Sequence, residues 1–199
     1  TSLQTDPSTN IVETTTDGQA RLDYIRGVRT AESDVTLNYR ARRVIMGDSI
    51  NSAPVLKGKP STDILDVSYQ TFMSTYSTRT PTVYIGTNDG MLHAFRAAES
   101  ATDVDNGKEI FAYVPRAISL KLNKLTDPGY VKEAYVDGGI AVNEARIYKS
   151  ASSSVDWGTV LVSGMGGGAK GLFALDVTSP STFSASNVLW EFTNADDAD

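Results

Sequence analysis

The sequence contains no cysteine and a single histidine, and these two absences remove whole classes of chemistry. Without cysteine there is no disulfide, no thiolate metal ligand and no cysteine nucleophile. With His93 alone, a zinc site built from several histidines is excluded, and a Ser-His-Asp arrangement has no other base to use. Because His93 falls between Leu92 and Ala94 in a predicted strand, we interpret it as a structural residue.

A long hydrophobic run and an excess of positive charge are also missing. No apolar stretch approaches the roughly 18 to 20 residues of a membrane-spanning helix, so we expect no membrane span. The 18 Lys and Arg residues face 24 Asp and Glu residues, for a net charge of −6. Negative charge opposes attraction to phosphate backbones, and we therefore expect no nucleic-acid partner. With 40% hydrophobic residues, 199 positions suffice for a real core.

The start of the chain predicts an arm followed by a helix. Residues 1–16 are rich in Thr, Ser and Asn and have no apolar period, which predicts a linker or mobile arm. Asp17 suits a helix N-cap, and Leu22 and Ile25 share one helix face. Gly27 suits the left-handed residue that ends a helix.

Two later segments look like copies of one four-strand pattern. The first copy comprises 50–56, 82–86, 91–95 and 109–113, and the second comprises 139–148, 159–163, 171–176 and 188–192. The offsets agree, with Thr82 to Thr159 at 77 positions, Ala94 to Ala174 at 80 and Phe111 to Trp190 at 79. Four strands make a propeller blade. We predict an all-β fold, a partial β-propeller with two four-stranded antiparallel blades at about 44–115 and 134–196 and two or three short helices.

The helices are predicted from a different period. Tyr69, Phe72, Met73 and Tyr76 follow helical spacing, which predicts a helix over 66–77 packed on the blade. A second short helix carries Ile118, Leu122 and Leu125 and is closed by Asp127-Pro-Gly129. Because a propeller takes typically about 4 to 8 blades, two blades close no ring, and we expect a truncated chain.

Several sequence motifs in and around the two copies resemble the successive signature segments of the PilC/PilY family of type IV pilus proteins. They are Arg43–Val55, Val83–Phe95, Phe111–Arg116, Tyr135–Gly138 and Gly171–Thr178, in the family's order within 22–192. Ser49 departs from the aliphatic residue usual there. The resemblance implies that 17–199 form the N-terminal part of the family's propeller, in a non-enzymatic protein at the pilus tip or cell surface. It implies pilus assembly, adhesion and twitching motility, with pilins or minor pilins and a host-cell receptor as partners.

Calcium is implied for the full-length family protein, at a loop in a later blade that would lie beyond Asp199. Within this chain, Asp103, Asp105 and Asn106 precede Gly107 and are weak calcium candidates. Their spacing does not fit an EF-hand loop, so an Asp/Asn/Gly turn is the favoured interpretation. We expect no cofactor, no catalytic residue and no tight metal site in these 199 residues.

The remaining motifs have structural interpretations. Gly166–Gly171 formally spells G-x-G-x-x-G, but a strand and not a helix follows, which predicts a hairpin without nucleotide binding. Asn88-Asp-Gly90 predicts a hairpin turn. Turn hydrogen bonding is expected of Asp48, Asp137 and Asp176, and a solvated tail of Asp196, Asp197 and Asp199.

Two alternatives remain open at this point. Gly86–Phe95 followed by Asn106–Phe111 also resembles the docking repeat of quinoprotein dehydrogenases, which are enzymes built on similar propellers. The lack of cysteine and of a closed ring argues against that class. An unrelated carbohydrate- or protein-binding propeller is the third interpretation.

Overall fold

A computed structural model describes residues 2–149 and 153–197, which form two four-stranded antiparallel sheets. Blade 1 consists of β1 (Val55–Lys57), β2 (Thr82–Gly86), β3 (Leu92–Arg96) and β4 (Glu109–Tyr113). Blade 2 consists of β5 (Ile140–Lys149), β6 (Ser154–Gly164), β7 (Gly171–Asp176) and β8 (Val188–Thr193). Each sheet keeps its strands in chain order, as a propeller blade does. The predicted all-β fold with two antiparallel blades is confirmed.

A β-bulge at the same place in both blades shows that they are structural copies. In blade 1 the register shifts directly after Ala94, whose partner on β4 is Phe111. In blade 2 it shifts directly after Ala174, whose partner on β8 is Trp190. Bulges are specific backbone features that chance does not place identically. The offsets of 80 and 79 that the sequence indicated for these two strands therefore hold.

The second strand of each blade deviates from the predicted alignment by one residue. Tyr84 pairs with Ala94 in blade 1, and Val162 pairs with Ala174 in blade 2. Tyr84 and Val162 are thus equivalent, an offset of 78 where the match of Thr82 to Thr159 indicated 77. The two threonines are similar in type, but strand pairing and not residue type defines equivalence.

The first strand is shorter than predicted. A strand over 50–56 was expected, whereas β1 spans only Val55–Lys57. The preceding residues use their polar groups elsewhere, since Asn51 donates its backbone N–H to Asp137 and Ser52 accepts the N–H of Gly86. Pro54 has no N–H to give to a ladder. The sequence pattern showed β-branched residues but not these competing bonds.

The first helix, α1 (Thr15–Ile25), begins one turn earlier than predicted. Thr14 and not Asp17 is the N-cap. Thr14 accepts the N–H of Asp17 at 3.3 Å, and the Asp17 carboxylate accepts the N–H of Thr14 at 3.0 Å, which is a capping box. At the other end Gly27 has φ of +100°, and Gly27 and Val28 donate to carbonyls of the last turn, as predicted for a glycine terminus.

The segment predicted as a mobile arm is partly packed on the domain, since residues 2–7 and 13 are half-buried while 8–12 are exposed. The guanidinium of Arg21 is buried and forms an ion pair with Glu13. Asn123, in the 3₁₀ helix Arg116–Thr126, donates to the carbonyl of Thr5 at 2.9 Å. A buried arginine needs a carboxylate, and this segment supplies it. Composition alone could not show that pairing.

The second helix, α2 (Val67–Thr75), is confirmed together with its apolar face. Asp66 caps its N-terminus, and Tyr69 and Phe72 are buried. The ring of Tyr69 lies 4.9 Å from that of Trp157 on β6. The β5–β6 hairpin is longer than predicted, and its extension receives this helix.

The second predicted helix is the 3₁₀ helix Arg116–Thr126, in which Ile118, Leu122 and Leu125 are buried as expected. It ends at Asp127, whose carbonyl accepts the N–H of Tyr130. In the described part of the chain, every helix is too short or too polar to cross a membrane.

Candidate functional site

A groove of about 480 Å³ lies between α1, the segment that leads into blade 1, and the face of β3 and β4 that is turned away from blade 2. Its apolar lining includes Ile25, Met46, Met91 and Phe95. Its charged lining residues are Arg26 at the end of α1 and, on the side of the sheet, Asp89, His93 and Glu109. This groove brings together the single histidine and the hairpin turn, which the sequence had placed side by side without a shared role.

His93 is held between two carboxylates. Its Nδ1 lies 2.5 Å from Oε1 of Glu109 and its Nε2 lies 3.1 Å from Oδ2 of Asp89. Burial alone would lower the pKa of His93, but the hydrogen bonds and charges of Asp89 and Glu109 outweigh it and raise that pKa. Because carboxylate oxygens only accept hydrogen bonds, this geometry favours the imidazolium form, which donates from both nitrogens.

Asp89 lies in the β2–β3 hairpin, so the predicted turn at Asn88-Asp-Gly90 is confirmed. Its carboxylate also accepts the backbone N–H of Gly47 at 2.7 Å. Burial favours the neutral acid, yet the bonds from His93 and Gly47 hold the pKa of Asp89 below its usual value. Asn88 accepts the N–H of Tyr135 at 3.0 Å, which ties the turn to the start of blade 2. The turn is thus a structural junction.

The chemistry open to this network is limited. Both ring nitrogens of His93 are occupied, which leaves neither to take a proton from a substrate. The two carboxylates lie on opposite edges of the ring and do not converge on one point. In residues 2–149 and 153–197 there is no group of three or more His, Cys, Asp or Glu side chains that could hold a metal ion. The arrangement suits a structural role, as the sequence indicated for His93.

We predict that His93→Gln removes a pH dependence of stability above pH 6.5. His93 has a raised folded pKa, so its stabilisation is complete below the unfolded value of about 6.5 and is lost as the pH rises through the folded pKa. Asp89 has a lowered folded pKa, so its contribution to the stability of the fold persists until the pH falls below about 4. Because the chain has one histidine and no cysteine, few other groups titrate between pH 6 and 9.

Melting temperatures of both proteins at pH 6 and pH 9 provide the measurement. The original chain should lose more stability than His93→Gln over this interval. At pH 6 the free energy of unfolding of the variant should also be lower by about 1 to 3 kcal/mol, the cost of leaving buried charged partners unsatisfied. Identical pH profiles for the two proteins would contradict an imidazolium in the groove.

The weak calcium candidates lie together in the β3–β4 loop, but protein groups already bind their oxygens. Asp103 accepts from Arg96 at 2.6 and 2.9 Å, and this bond is the main reason that its pKa is lowered. Asp105 pairs with Lys108 at 2.8 Å, and Asn106 accepts the N–H of Ala98 at 2.9 Å. This is the geometry of a hydrogen-bonded turn.

For this loop we predict calcium binding no tighter than about 10⁻⁴ M, because three candidate oxygens fall short of the 6 to 8 ligands that the ion takes. At a concentration near its dissociation constant, calcium should raise stability by only about 0.4 kcal/mol. Titration calorimetry with CaCl₂ is the measurement, and Asp103→Ala combined with Asp105→Ala is the control. Micromolar binding that disappears in the double variant would refute the prediction.

The other motifs lie where the blades turn. Gly166–Gly168 form a 3₁₀ turn between β6 and β7, which confirms the glycine-rich hairpin. Asp176 accepts the N–H of Thr178 at 2.9 Å. The carboxylate of Asp137 accepts the backbone N–H and the side-chain amide of Asn51, and so joins the two blades. Asp48 pairs with Lys132. Asp196 and Asp197 are exposed, as predicted for a solvated tail, although Asp196 also accepts the N–H of Thr193 at 2.9 Å; Asp199 lies outside the described residues.

Comparison with known proteins gives a consistent picture. The family model of the PilY1 β-propeller domain matches residues 46–199. A type IV pilus biogenesis factor PilY1 homolog of Xylella fastidiosa is 42% identical over 183 residues, which cover 88% of this chain and 14% of that protein. The type IV pilus biogenesis factor PilY1 of Pseudomonas aeruginosa strain PAK is 41% identical over 199 residues, which cover 95% of this chain and 15% of that protein.

Among solved structures, the crystal structure of the Pseudomonas aeruginosa PilY1 C-terminal domain is similar, with a TM-score of 0.47 and 36% sequence identity. The match covers 69% of this chain and 25% of that one. The chain thus spans only 14% to 15% of the length of the curated relatives above.

Proposed function

Because this chain belongs to the PilY1 β-propeller family, we propose that it is a non-enzymatic module of a type IV pilus biogenesis and adhesion protein. The observation that carries the proposal is the family match over residues 46–199, together with 42% identity to a type IV pilus biogenesis factor homolog. In this function the two blades support pilus assembly and extension and, through them, twitching motility. The propeller supplies a rigid surface and no reaction centre.

The proposed partners are pilins or minor pilins of the type IV pilus, with a host-cell receptor as a further partner in adhesion. Association with the pilus implies a location at the pilus tip or outer cell surface. A net charge of −6 supports protein partners over nucleic acid. We propose no cofactor for these residues and calcium only for the full-length family protein.

A non-enzymatic role is supported by the groove itself, where both nitrogens of His93 bond to carboxylates. The quinoprotein alternative has no support among the relatives, which are named as pilus biogenesis factors. The same names disfavour an unrelated carbohydrate-binding propeller.

The proposed function is tested by a segment exchange in Pseudomonas aeruginosa PilY1. In a strain that lacks its own PilY1, the matched segment is replaced by this chain, and surface pilin and twitching zones are measured. We expect both to be restored to a large fraction of the original level. Phe173→Asp within the exchanged segment is the control, because it places a charge in a fully buried position and should abolish both readouts.

The outcome that counts against the function is a chimeric protein that is stable and exported, at levels equal to the original, but leaves cells without surface pili. Immunoblots of the cell and culture fractions separate this outcome from failure to fold. A quinone-type absorbance band in the purified chain would instead favour the enzyme class.

A further inference from the structure

We propose that a second groove beside blade 1, here called the arginine groove, binds an acidic and partly apolar segment of a partner protein. The groove has a volume of about 440 Å³ and lies between residues 40–48, the β2–β3 turn and the segment that leads into blade 2. Its lining includes Arg40, Arg43, Val44, Tyr130 and Lys132. The inference deepens the proposed function, on which it rests for the expectation that the partner is a protein.

Positive charge is concentrated along one wall of the arginine groove. Residues 40–46 contain three arginines and no carboxylate, although the whole chain has a net charge of −6. A local patch of one sign steers and orients a partner that carries the opposite sign at the matching place. The groove therefore favours a partner segment with a local negative charge.

Two of these arginines differ from most others because no carboxylate in the described part of the chain pairs with them. Of the ten arginines in the sequence, six form ion pairs with carboxylates, namely Arg21, Arg29, Arg42, Arg79, Arg96 and Arg116. Arg42 also donates to two backbone carbonyls and is a structural residue of the groove wall. Arg40 and Arg43 are thus the wall arginines whose charge is available to a ligand.

The guanidinium of Arg40 is held in place on one edge. Its Nε donates to the carbonyl of Leu125 at 3.1 Å, and its Cζ lies over the ring of Tyr130, 4.6 Å from the ring centroid. The backbone N–H of Arg40 donates to the carbonyl of Thr126 at 2.9 Å. Within residues 2–149 and 153–197, its two terminal nitrogens have no hydrogen-bond partner. A guanidinium that is held in this way can donate two parallel hydrogen bonds to one carboxylate.

Apolar side chains beside the arginines indicate what accompanies the carboxylate. Val44 and Ile45 follow Arg43 directly and are 67% and 49% exposed. Arg43 is itself exposed, and its side chain makes no hydrogen bond or ion pair to any residue that the structure describes. Arginine next to apolar side chains is typical of protein interfaces. The matching segment carries an acidic residue next to an aliphatic or aromatic one.

A nucleic acid or another polyanion fits the groove less well. The lining also contains two carboxylates, Asp48 and Asp89, which pair with Lys132 and His93. A row of phosphates would have to pass these carboxylates, and like charges repel. A single acidic side chain can reach Arg40 without meeting them. The available charge thus suits one or two carboxylates of a protein segment.

Binding of a designed acidic peptide to the 199-residue chain tests the proposal. The probe is a fluorescein-labelled peptide, Gly-Ser-Glu-Leu-Glu-Leu-Ser-Gly, and the reference is the same peptide with glutamine in place of both glutamates. Fluorescence anisotropy at low salt should show that the acidic peptide binds about tenfold more tightly, because only its carboxylates form charge-assisted bonds with guanidinium groups. Raising NaCl to about 0.5 M should weaken this binding, because salt screens exposed charges.

Arg40→Gln combined with Arg43→Gln should weaken binding of the acidic peptide by about tenfold or more. The matched control is Lys59→Gln combined with Lys170→Gln, which removes the same charge from two exposed side chains outside the groove. The control should change the affinity by about twofold at most, since distant exposed charges are screened. Because Arg40 also binds the carbonyl of Leu125, Arg43→Gln alone is the second variant. Its side chain has no bond to lose in the described fold, and the substitution should still weaken binding by about threefold.

The proposal is overturned if the acidic and glutamine peptides bind equally or not at all, or if the groove variants bind the acidic peptide as well as the control does. It is equally overturned if vesicles that contain phosphatidylglycerol bind the chain through Arg43 and the peptide does not, since the ligand would then be a lipid surface. None of these readouts depends on pili. Absent peptide binding together with restored surface pili in the segment exchange would refute the groove alone, and the reverse result would refute the proposed function alone.

Discussion

Replacing Glu144 by alanine should lower the free energy of unfolding by about 3 to 5 kcal/mol, the cost of breaking a buried ion pair by removing one partner. The side chain of Glu144, on β5 of blade 2, is 2% exposed. Its carboxylate oxygens lie 2.7 and 2.9 Å from Nζ of Lys57 on β1 of blade 1. Arg79 approaches it at 3.9 Å. Without the carboxylate, two cations would remain at the seam between the blades.

Arg79 makes this seam especially sensitive. Its guanidinium is buried, donates to Thr159 at 2.7 Å and to the carbonyl of Gly58 at 2.8 Å, and so joins the two blades. Burial lowers the pKa of Arg79, although arginine remains charged at neutral pH. If Glu144 were lost, the buried guanidinium of Arg79 would therefore keep its positive charge, because arginine does not deprotonate at neutral pH.

Urea denaturation of Glu144→Ala measures this effect. The matched control is Lys108→Ala, which removes the partner of Asp105 in an ion pair whose side chains are 66% and 60% exposed. Surface pairs of this kind contribute little, so the control should unfold at nearly the original urea concentration. Equal midpoints for the two variants would show that the seam does not depend on this charge.

The second large effect should come from Gly168→Ala, which we expect to destabilise the chain by about 3 kcal/mol, at the upper end of overpacking costs. A Cβ at Gly168 would overlap the backbone carbonyl oxygen of Tyr135. The obstacle is main chain and not a flexible side chain. Gly168 is also held on both sides, since its N–H donates to Met165 at 2.8 Å and its carbonyl accepts from Lys121 at 2.7 Å. The hairpin therefore cannot move aside without losing these bonds.

Gly139→Ala is the control for this substitution. A Cβ at Gly139 meets no atom within 4 Å, and this glycine has no positive φ that would strain an alanine. Its melting temperature should stay near that of the original chain, while Gly168→Ala should melt well below it. If the two variants have the same melting temperature, the close approach of the hairpin to Tyr135 is not required by the fold.

Much of the fold could be predicted because its signals are local. The apolar period of α2, the turn at Asn88-Asp-Gly90 and the alternation in β7 depend on residues within a few positions of one another. The repeat of these local patterns predicted two blades, and the shared bulge confirmed it at Ala94 and Ala174. The one-residue error on β2 and β6 arose because similar residues need not pair at equivalent positions.

The site was predicted less well, and the reason is distance along the chain. His93 was identified as structural, but its partner Glu109 lies 16 residues away on the next strand. The loop at Asp103 carried the residue types of a cation site, yet Arg96 takes its carboxylate. Residue type shows which chemistry is available. Whether an oxygen is free depends on the neighbour that folding brings to it.

The amino-acid sequence by itself determined most of the strands, the turns, the blade repeat and the family, since each of these rests on patterns within a short window or on motifs in a fixed order. Only the tertiary structure decided which charges meet, as when Lys57 finds Glu144 across 87 residues and Arg21 finds Glu13 in a segment that composition described as an arm. It also decided which apolar side chains of blade 2 are exposed to solvent. Burial and ion pairing belong to surfaces in contact, and a linear pattern does not specify which surfaces those are.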